Sequence, residues 1–424
     1  MIDALAGFQP TRDFALELDA RDELAVFRDE FLHADPDLIY LDGNSLGRMP
    51  RKTAELLAEV VREQWGARLI RSWGEGWYEA PRRLGDKIGQ LLGAAAGQVI
   101  VSDSTSVNLY KLVMAAAGLR PTRRTLLTDR LNFPSDVYIL QGCAQALGPE
   151  YDVRLAPESG DPSAAVLDAM DQDTAVVVLS LVAFKSGYLY DPLVVARRAQ
   201  EVGALVLWDL SHACGAVPVD LDGWGADFAV GCTYKYLNGG PGAPAFLYVR
   251  RAHQAQAMSP VWGWFGEASP FAFDLQYHPA EGISRFLAGT PPLLSTLAIE
   301  PGLDLLLEAG MQRVRRKSVL QTEYLVALFD HALAPLGFRL GSPRDPERRG
   351  SHISLQHPDG YRINRALIAE MEVLPDFREP DLIRLGVAPL YTSYLDLWEA
   401  VQRIAEVVLE GRFRKYSDLR QAVT

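Results

Sequence analysis

An α/β fold is predicted for this chain: a large domain on a mainly parallel sheet, followed by a smaller α+β domain. Three observations predict it. Between residues 98 and 249, short runs that are apolar throughout alternate with segments of helical periodicity. Strands apolar on both faces belong to a sheet covered by helices on both sides. After residue 249 the alternation stops, and strands and helices follow in the irregular order of an α+β unit. At 424 residues the chain is also too long for one simple core.

Taken in order, Gln98-Val-Ile-Val-Ser reads as a strand, Val107 to Gly118 as a helix, Thr125-Leu-Leu-Thr as a strand and Ser135 to Leu147 as a helix. Tyr151 to Leu155, Ala175 to Ser180 and Ala204 to Asp209 continue the strands, with helices near Ser163 to Asp171 and at Leu193 to Gly203 between them. Asp227 to Gly231 and Ala243 to Val249 complete the sheet. Beyond it, Leu303 to Glu308, Ser318 to Leu333, Tyr361 to Glu372 and Leu395 to Leu409 read as helices. Gly337 to Leu340, Ser351 to Gln356 and Leu382 to Gly386 read as strands. Upstream, Ala54, Leu57, Ala58, Val61 and Trp65 recur at helical spacing within Arg51 to Gly66, and that stripe is expected to lie against the core. Pro343 to Gly350 is a polar loop. The division expected is residues 44–300 for the large domain, and residues 1–43 with 301–424 for the small one.

Composition narrows the function. With 48% hydrophobic and 23% charged residues the chain has ordinary globular composition. A net charge of −12 speaks against a phosphate-tracking nucleic-acid binder and an anionic membrane surface. The first thirty residues hold no uninterrupted apolar stretch, so neither a secretory signal nor a spanning segment is expected, and the cytoplasm is the expected compartment. The three cysteines, Cys143, Cys214 and Cys232, form no C-x-x-C pair, and the seven histidines show no ligand spacing. A disulfide framework and a metal site are therefore not expected.

Chemistry is signalled at two strand ends. The apolar run Ala226-Asp-Phe-Ala-Val-Gly-Cys-Thr-Tyr234-Lys235 ends in a Tyr-Lys pair and the turn Tyr-Leu-Asn-Gly-Gly. A lysine partly desolvated at such a mouth is a nucleophile for carbonyls, although a lone lysine near a turn is most often a solvated charge. Twenty-six residues upstream, Ala204-Leu-Val-Leu-Trp-Asp209-Leu-Ser-His212 ends a second strand on an aspartate. Taken alone, Asp209 is equally a cap for the next turn. Together they match the requirement of pyridoxal phosphate (PLP): an acidic partner for the pyridine nitrogen and a Schiff-base lysine, both outside the carboxyl ends of strands. Ser102-Asp-Ser-Thr105-Ser106 lies between a strand and a helix, suited to a phosphate or to a plain N-cap. Asn132-Phe133-Pro134-Ser135-Asp136 is a second such turn, and Phe133 is either packing or a stacking surface for a ring.

Leu41-Asp-Gly-Asn-Ser-Leu-Gly, Asp-Ser-Thr-Ser-Val-Asn, Asn-Phe-Pro-Ser-Asp, Asp209-Leu-Ser-His212-Ala, Cys-Thr-Tyr-Lys-Tyr-Leu-Asn-Gly-Gly, Gly263-Trp-Phe-Gly and Gly289-Thr-Pro-Pro together resemble kynureninase. The resemblance runs from about Tyr40 to Tyr391. It implies the PLP-dependent transferase fold of type I with a seven-stranded sheet. It also implies a homodimer with the active site at the subunit interface, and hydrolysis of L-kynurenine to anthranilate and L-alanine in tryptophan catabolism. By the same resemblance Lys235 would hold PLP, Asp209 would keep its ring nitrogen protonated, and His212 would support that region. Thr105, Ser106 and Tyr234 would serve the phosphate, Phe133 would stack on the ring, and Asp136 and Ser180 would line the pocket with Pro134 and Ser135 beside them. Trp264 and Thr290 would come from the other subunit, and Arg384 would grip the substrate carboxylate. Tyr234 is also the expected proton shuttle. Trp73, in a stretch similar to bacterial members, and Thr290, where animal enzymes carry Asn, imply a preference for L-kynurenine over its 3-hydroxy form; Trp73 is equally a core residue.

Other readings keep the same lysine. A cysteine desulfurase needs a nucleophilic Cys, commonly beyond the lysine, whereas all three here precede Lys235. An aminotransferase would need an oxo-acid acceptor. A non-catalytic regulator on this fold is disfavoured by the Tyr234-Lys235 pair and Arg384 together, and by the lack of a basic DNA-binding segment.

Overall fold

The computed structural model describes residue 5, residues 7–157 and residues 160–419. The alternating region forms one seven-stranded sheet, ordered in space Val99–Val101, Phe246–Val249, Phe228–Gly231, Leu205–Asp209, Thr174–Ser180, Thr125–Thr128 and Asp152–Leu155. Phe246–Val249 runs antiparallel to both its neighbours, and every other pairing is parallel. The unbroken apolar runs have a direct cause. Successive side chains alternate between faces, and both faces are covered. Val177, Leu179, Val206 and Trp208 enter one core with Leu84 and Ile88. Val176, Val178, Leu205 and Leu207 enter another with Leu109, Leu112 and Val113 of the helix Thr105–Leu119. In register, Ser180 lies opposite Asp209 and Asp209 opposite Val230, so the carboxyl ends of three neighbouring strands share one edge.

The smaller unit is an antiparallel sheet ordered Asp376–Arg378, Leu382–Gly386, His352–Gln356 and Arg339–Leu340. Helices Met311–Leu328, Gly360–Glu370 and Tyr394–Leu409 join it in a separate core, which also takes Ala15 and Leu18 from the N-terminal helix Arg12–Ala20. That helix is tied in at its end, where the Asp19 carboxylate accepts from the free amides of Tyr394 and Leu395 at 2.7 and 3.0 Å. Ile39–Tyr40 pairs parallel with Val373–Leu374.

Two expectations need correction. The helix Glu300–Ala309, divided with the small domain on sequence, buries Leu303, Leu306 and Ala309 in the core of the large sheet, as do Leu24, Phe27 and Phe31 from the N-terminal segment. The stripe within Arg51 to Gly66 does not face the core. Helix Arg51–Glu59 continues as wider π turns over Val60–Arg68 and buries Thr53 and Val60, leaving Ala54 and Ala58 exposed and Val61 and Trp65 43% and 56% exposed. Periodicity shows which residues share a face, not what covers it. Among the described residues no helix is long and apolar enough to cross a membrane.

Candidate active site

Lys235 opens on a pocket of about 240 Å³ at the shared strand edge. Its Nζ lies 2.9 Å from His212 Nε2 and 6.0 Å from the Phe133 ring centroid. Burial, with the Lys235 charge beside it, holds the His212 imidazole well below its usual range. The neutral ring therefore accepts from the lysine ammonium. Gly47 passes directly over this segment: its N–H donates to Tyr234 O at 2.8 Å, and a Cβ on Gly47 would meet Lys235 O at 2.3 Å. Only glycine permits that approach.

Asp209 is clamped by Ser211, whose N–H and Oγ donate to its Oδ1 at 2.8 and 2.6 Å. Ser211 Oγ in turn accepts from Cys232 N at 3.2 Å, linking the two strand ends. Asp136 lies against Asp209. Burial, then the Asp209 charge, pushes the Asp136 carboxyl well up, so it keeps its proton. Burial likewise raises the Tyr234 hydroxyl, which stays neutral.

Two helix N-termini form the facing wall. Thr105 and Ser106 begin the helix Thr105–Leu119, Pro134 and Ser135 begin Pro134–Leu147, and the Ser106 and Ser135 hydroxyls meet at 3.1 Å. The turn before Thr105 is strained at Asp103, which has φ +43°. Lys111, fully buried, holds this turn: its Nζ donates to the Asp103 carboxylate, to Ser102 Oγ at 3.4 Å and to Phe286 O at 2.7 Å. The second turn is fixed by Asn132, whose Oδ1 accepts from Phe133 N at 2.9 Å and Ser180 Oγ at 2.6 Å. Ser180, expected to line the pocket, is buried with its hydroxyl committed to Asn132 and is not among the lining residues. Phe133 keeps 41% of its surface exposed and meets Phe184 edge-on at 5.1 Å.

At the other end, Arg384 Nε donates to Asp376 Oδ1 at 2.7 Å and Nη2 to Asp376 Oδ2, a bidentate pair buried to 1% exposure on both sides. Ser45, from the turn after Leu41, donates to Asp376 Oδ2 at 2.8 Å. Sequence reasoning singled out none of Asn44, Ser45, Phe184, Ser211 and Arg378, all of which line the pocket. The local signal for three of them was the motif that contains them: Asn44 and Ser45 in Leu41-Asp-Gly-Asn-Ser-Leu-Gly, and Ser211 in Asp209-Leu-Ser-His212.

Three expected residues stand away from this chain's pocket. Trp264 is 42% exposed against Phe265 and Phe271, Thr290 is exposed, and Trp73 packs with Trp77 and Phe265, each at 5.7 Å.

The side chains present suit pyridoxal phosphate. Among the described residues Asp136 Oδ2 and His212 Nδ1 are buried without a partner, hydroxyls and helix N-termini form a wall suited to an anion, and the lysine amine lies 6.0 Å from an exposed aromatic ring.

Similarity to known proteins agrees. The family model for the kynureninase C-terminal domain matches residues 314–404. A kynureninase of Burkholderia pseudomallei (strain 1106a) is 45% identical over 403 residues, 94% of this chain and 95% of that protein. A kynureninase of Pseudomonas fluorescens is 44% identical over 404 residues, with the same coverage. In fold the chain is similar to an apo cysteine desulfurase of Thermococcus onnurineus NA1, with a TM-score of 0.76, 17% identity, and coverage of 91% of this chain and 98% of that one. With relatives this similar over nearly its whole length, and with the pocket described above, the chain belongs to the kynureninase family and is a pyridoxal-phosphate-dependent hydrolase.

Proposed function

We propose that this pocket cleaves the β–γ carbon–carbon bond of L-kynurenine to give anthranilate and L-alanine, with Lys235 as the cofactor anchor. One observation carries it: an amine, two buried carboxyl groups and guanidinium groups open on a single pocket. Thr105, Ser106, Ser135 and Tyr234 would hold the phosphate, and Phe133, set by Pro134, would lie against the ring. Asp209, with Asp136 beside it, would hold a proton on the ring nitrogen, and His212 would support the same region. Bound there, pyridoxal phosphate supplies a carbonyl that condenses with amines and a protonated ring that withdraws electrons from them.

The chain's own groups do the rest. Arg384 orients the substrate through its α-carboxylate. Lys235, with its amine free, would take the proton from Cα as a general base. Tyr234 Oη delivers a proton to Cβ after water has added to the aryl ketone and anthranilate has left, and Lys235 returns its proton to Cα to complete alanine. All three cysteines are buried, which does not suit a mobile desulfurase nucleophile.

The active unit proposed is a homodimer. Its support is the exposure of the large apolar side chains Trp65, Ile70, Trp262 and Phe271, the last in contact with Trp264 at 5.9 Å. In the dimer, Trp264 and Thr290 would reach the other subunit's phosphate. Trp73 and Thr290 support a preference for L-kynurenine over the 3-hydroxy form, which a comparison of kcat/KM tests. The compartment proposed is the cytoplasm. The deciding experiment incubates holoprotein with L-kynurenine and measures both products. Anthranilate and alanine should form in equal amounts, and no anthranilate from a PLP-loaded sample overturns the proposal.

A further inference from the structure

Arg384 reaches the pocket with its hydrogen bonds already made. A guanidinium has five N–H donors. Here Nε and one Nη2 proton go to Asp376, the other Nη2 proton to Ser45 Oγ at 3.2 Å, and one Nη1 proton to Phe184 O. A single donor remains, on a side chain 1% exposed, and the Asp376 carboxylate cancels its charge.

A second arginine stands beside it. In the strand Asp376–Arg378, residues 376 and 378 point to the same face, and Asp376 lies directly opposite Arg384. Arg378 is therefore the diagonal neighbour of Arg384 on that face, within reach of a long side chain. Its guanidinium stands 2.8 Å from Asp376 Oδ2, touches Ser45 Oγ at 3.4 Å and donates to Phe377 O at 2.9 Å. Among the described residues Nε and one Nη1 proton have no such partner, and the side chain, 31% exposed, lines the pocket. Two cations thus share the Asp376 carboxylate. The unmatched positive charge and the open donors both sit on Arg378.

We propose that Arg378 is a second receptor of the substrate α-carboxylate, placed beside Arg384, whose one remaining donor reaches the same carboxylate. The proposal rests on the assignment of this pocket as the amino-acid site. The test titrates the holoenzyme with L-alanine and with L-alaninamide, following cofactor absorbance, and measures steady-state turnover of L-kynurenine. In Arg378→Gln the apparent Kd for L-alanine and the KM for L-kynurenine should rise roughly 10- to 100-fold. The Kd for L-alaninamide, which lacks the carboxylate charge, should move less than about threefold, and Arg378→Lys should recover part of the loss.

Equal losses for acid and amide would overturn the proposal by making Arg378 structural. So would unchanged L-alanine binding in both variants. A wild-type holoenzyme that forms no anthranilate and shows no response to L-alanine would overturn the pocket assignment along with it. Wild-type turnover with an indifferent Arg378→Gln overturns the Arg378 role alone. The Lys variant, which keeps the charge over Asp376, provides the same acid-against-amide comparison should the Gln variant fail to fold.

Discussion

Replacing Lys111 by Met keeps the aliphatic stem of a fully buried side chain and removes the ammonium that ties three segments together. The Phe286 carbonyl, now 2.7 Å from Nζ, loses a buried donor, which costs about 1–3 kcal/mol. The ion pair with Asp103 adds about 1 kcal/mol rather than several, because the Asp103 side chain is 32% exposed and solvent screens it. The expected loss of stability is therefore about 2–4 kcal/mol, read as a lower urea midpoint of the apoprotein. The more telling consequence concerns the turn before Thr105 and Ser106. Without Lys111, Asp103 is no longer held at its positive φ, and the turn must be ordered by the ligand instead. If about 1–2 kcal/mol of the loss falls there, pyridoxal phosphate binds about 5- to 30-fold more weakly. Equilibrium dialysis against the free cofactor measures it. An apoprotein that loses stability while its cofactor Kd stays within about twofold of wild type would refute the coupling and leave Lys111 as a core lysine only.

Other outcomes follow from the same geometry. Tyr234→Phe, assayed at saturating cofactor, should lower kcat for L-kynurenine by at least about tenfold, since it removes one general acid; an unchanged rate ends the shuttle assignment. Burial, then the Asp376 charge, pushes the Asp42 carboxyl up to about 7. As pH rises through that value a negative charge develops beside the arginine pair, so the KM for L-kynurenine should rise above pH 7 and Asp42→Asn should flatten the rise. Because the folded value lies above the ordinary 3.8, the stability this group contributes is full below about pH 4 and is lost as pH rises to about 7. Ile70→Asp, at a side chain 77% exposed, should leave the chain folded yet convert a dimer to a monomer in sedimentation; an unchanged mass places the interface elsewhere.

The large sheet was legible because its strands are buried on both faces and leave continuous apolar runs such as Val176 to Leu179. Asp209 and Lys235 were legible for a related reason: each is the polar residue where such a run stops. Arg378 left little trace, since its strand has three residues and its neighbour Asp376 pairs across the sheet rather than along the chain. Ser45 acts on a carboxylate 331 residues away, a distance that no local pattern encodes. The stripe at Val61 and Trp65 was read correctly as a face and wrongly as a core contact, because amphipathicity does not name the surface that covers it.

The turn that carries Ser45 and Gly47 also constrains when the protein becomes competent during synthesis. Gly47 rests on the Tyr234 carbonyl, and Ser45 finds its acceptor only on Asp376. A ribosome that has released Lys235 has therefore made a lysine with no finished site around it. The N-terminal turn must wait through more than three hundred further residues for the carboxylate it hooks. Nascent or truncated chains that stop short of Asp376 would carry the anchoring lysine without the groups that select its amino acid, so competence should arrive late and all at once.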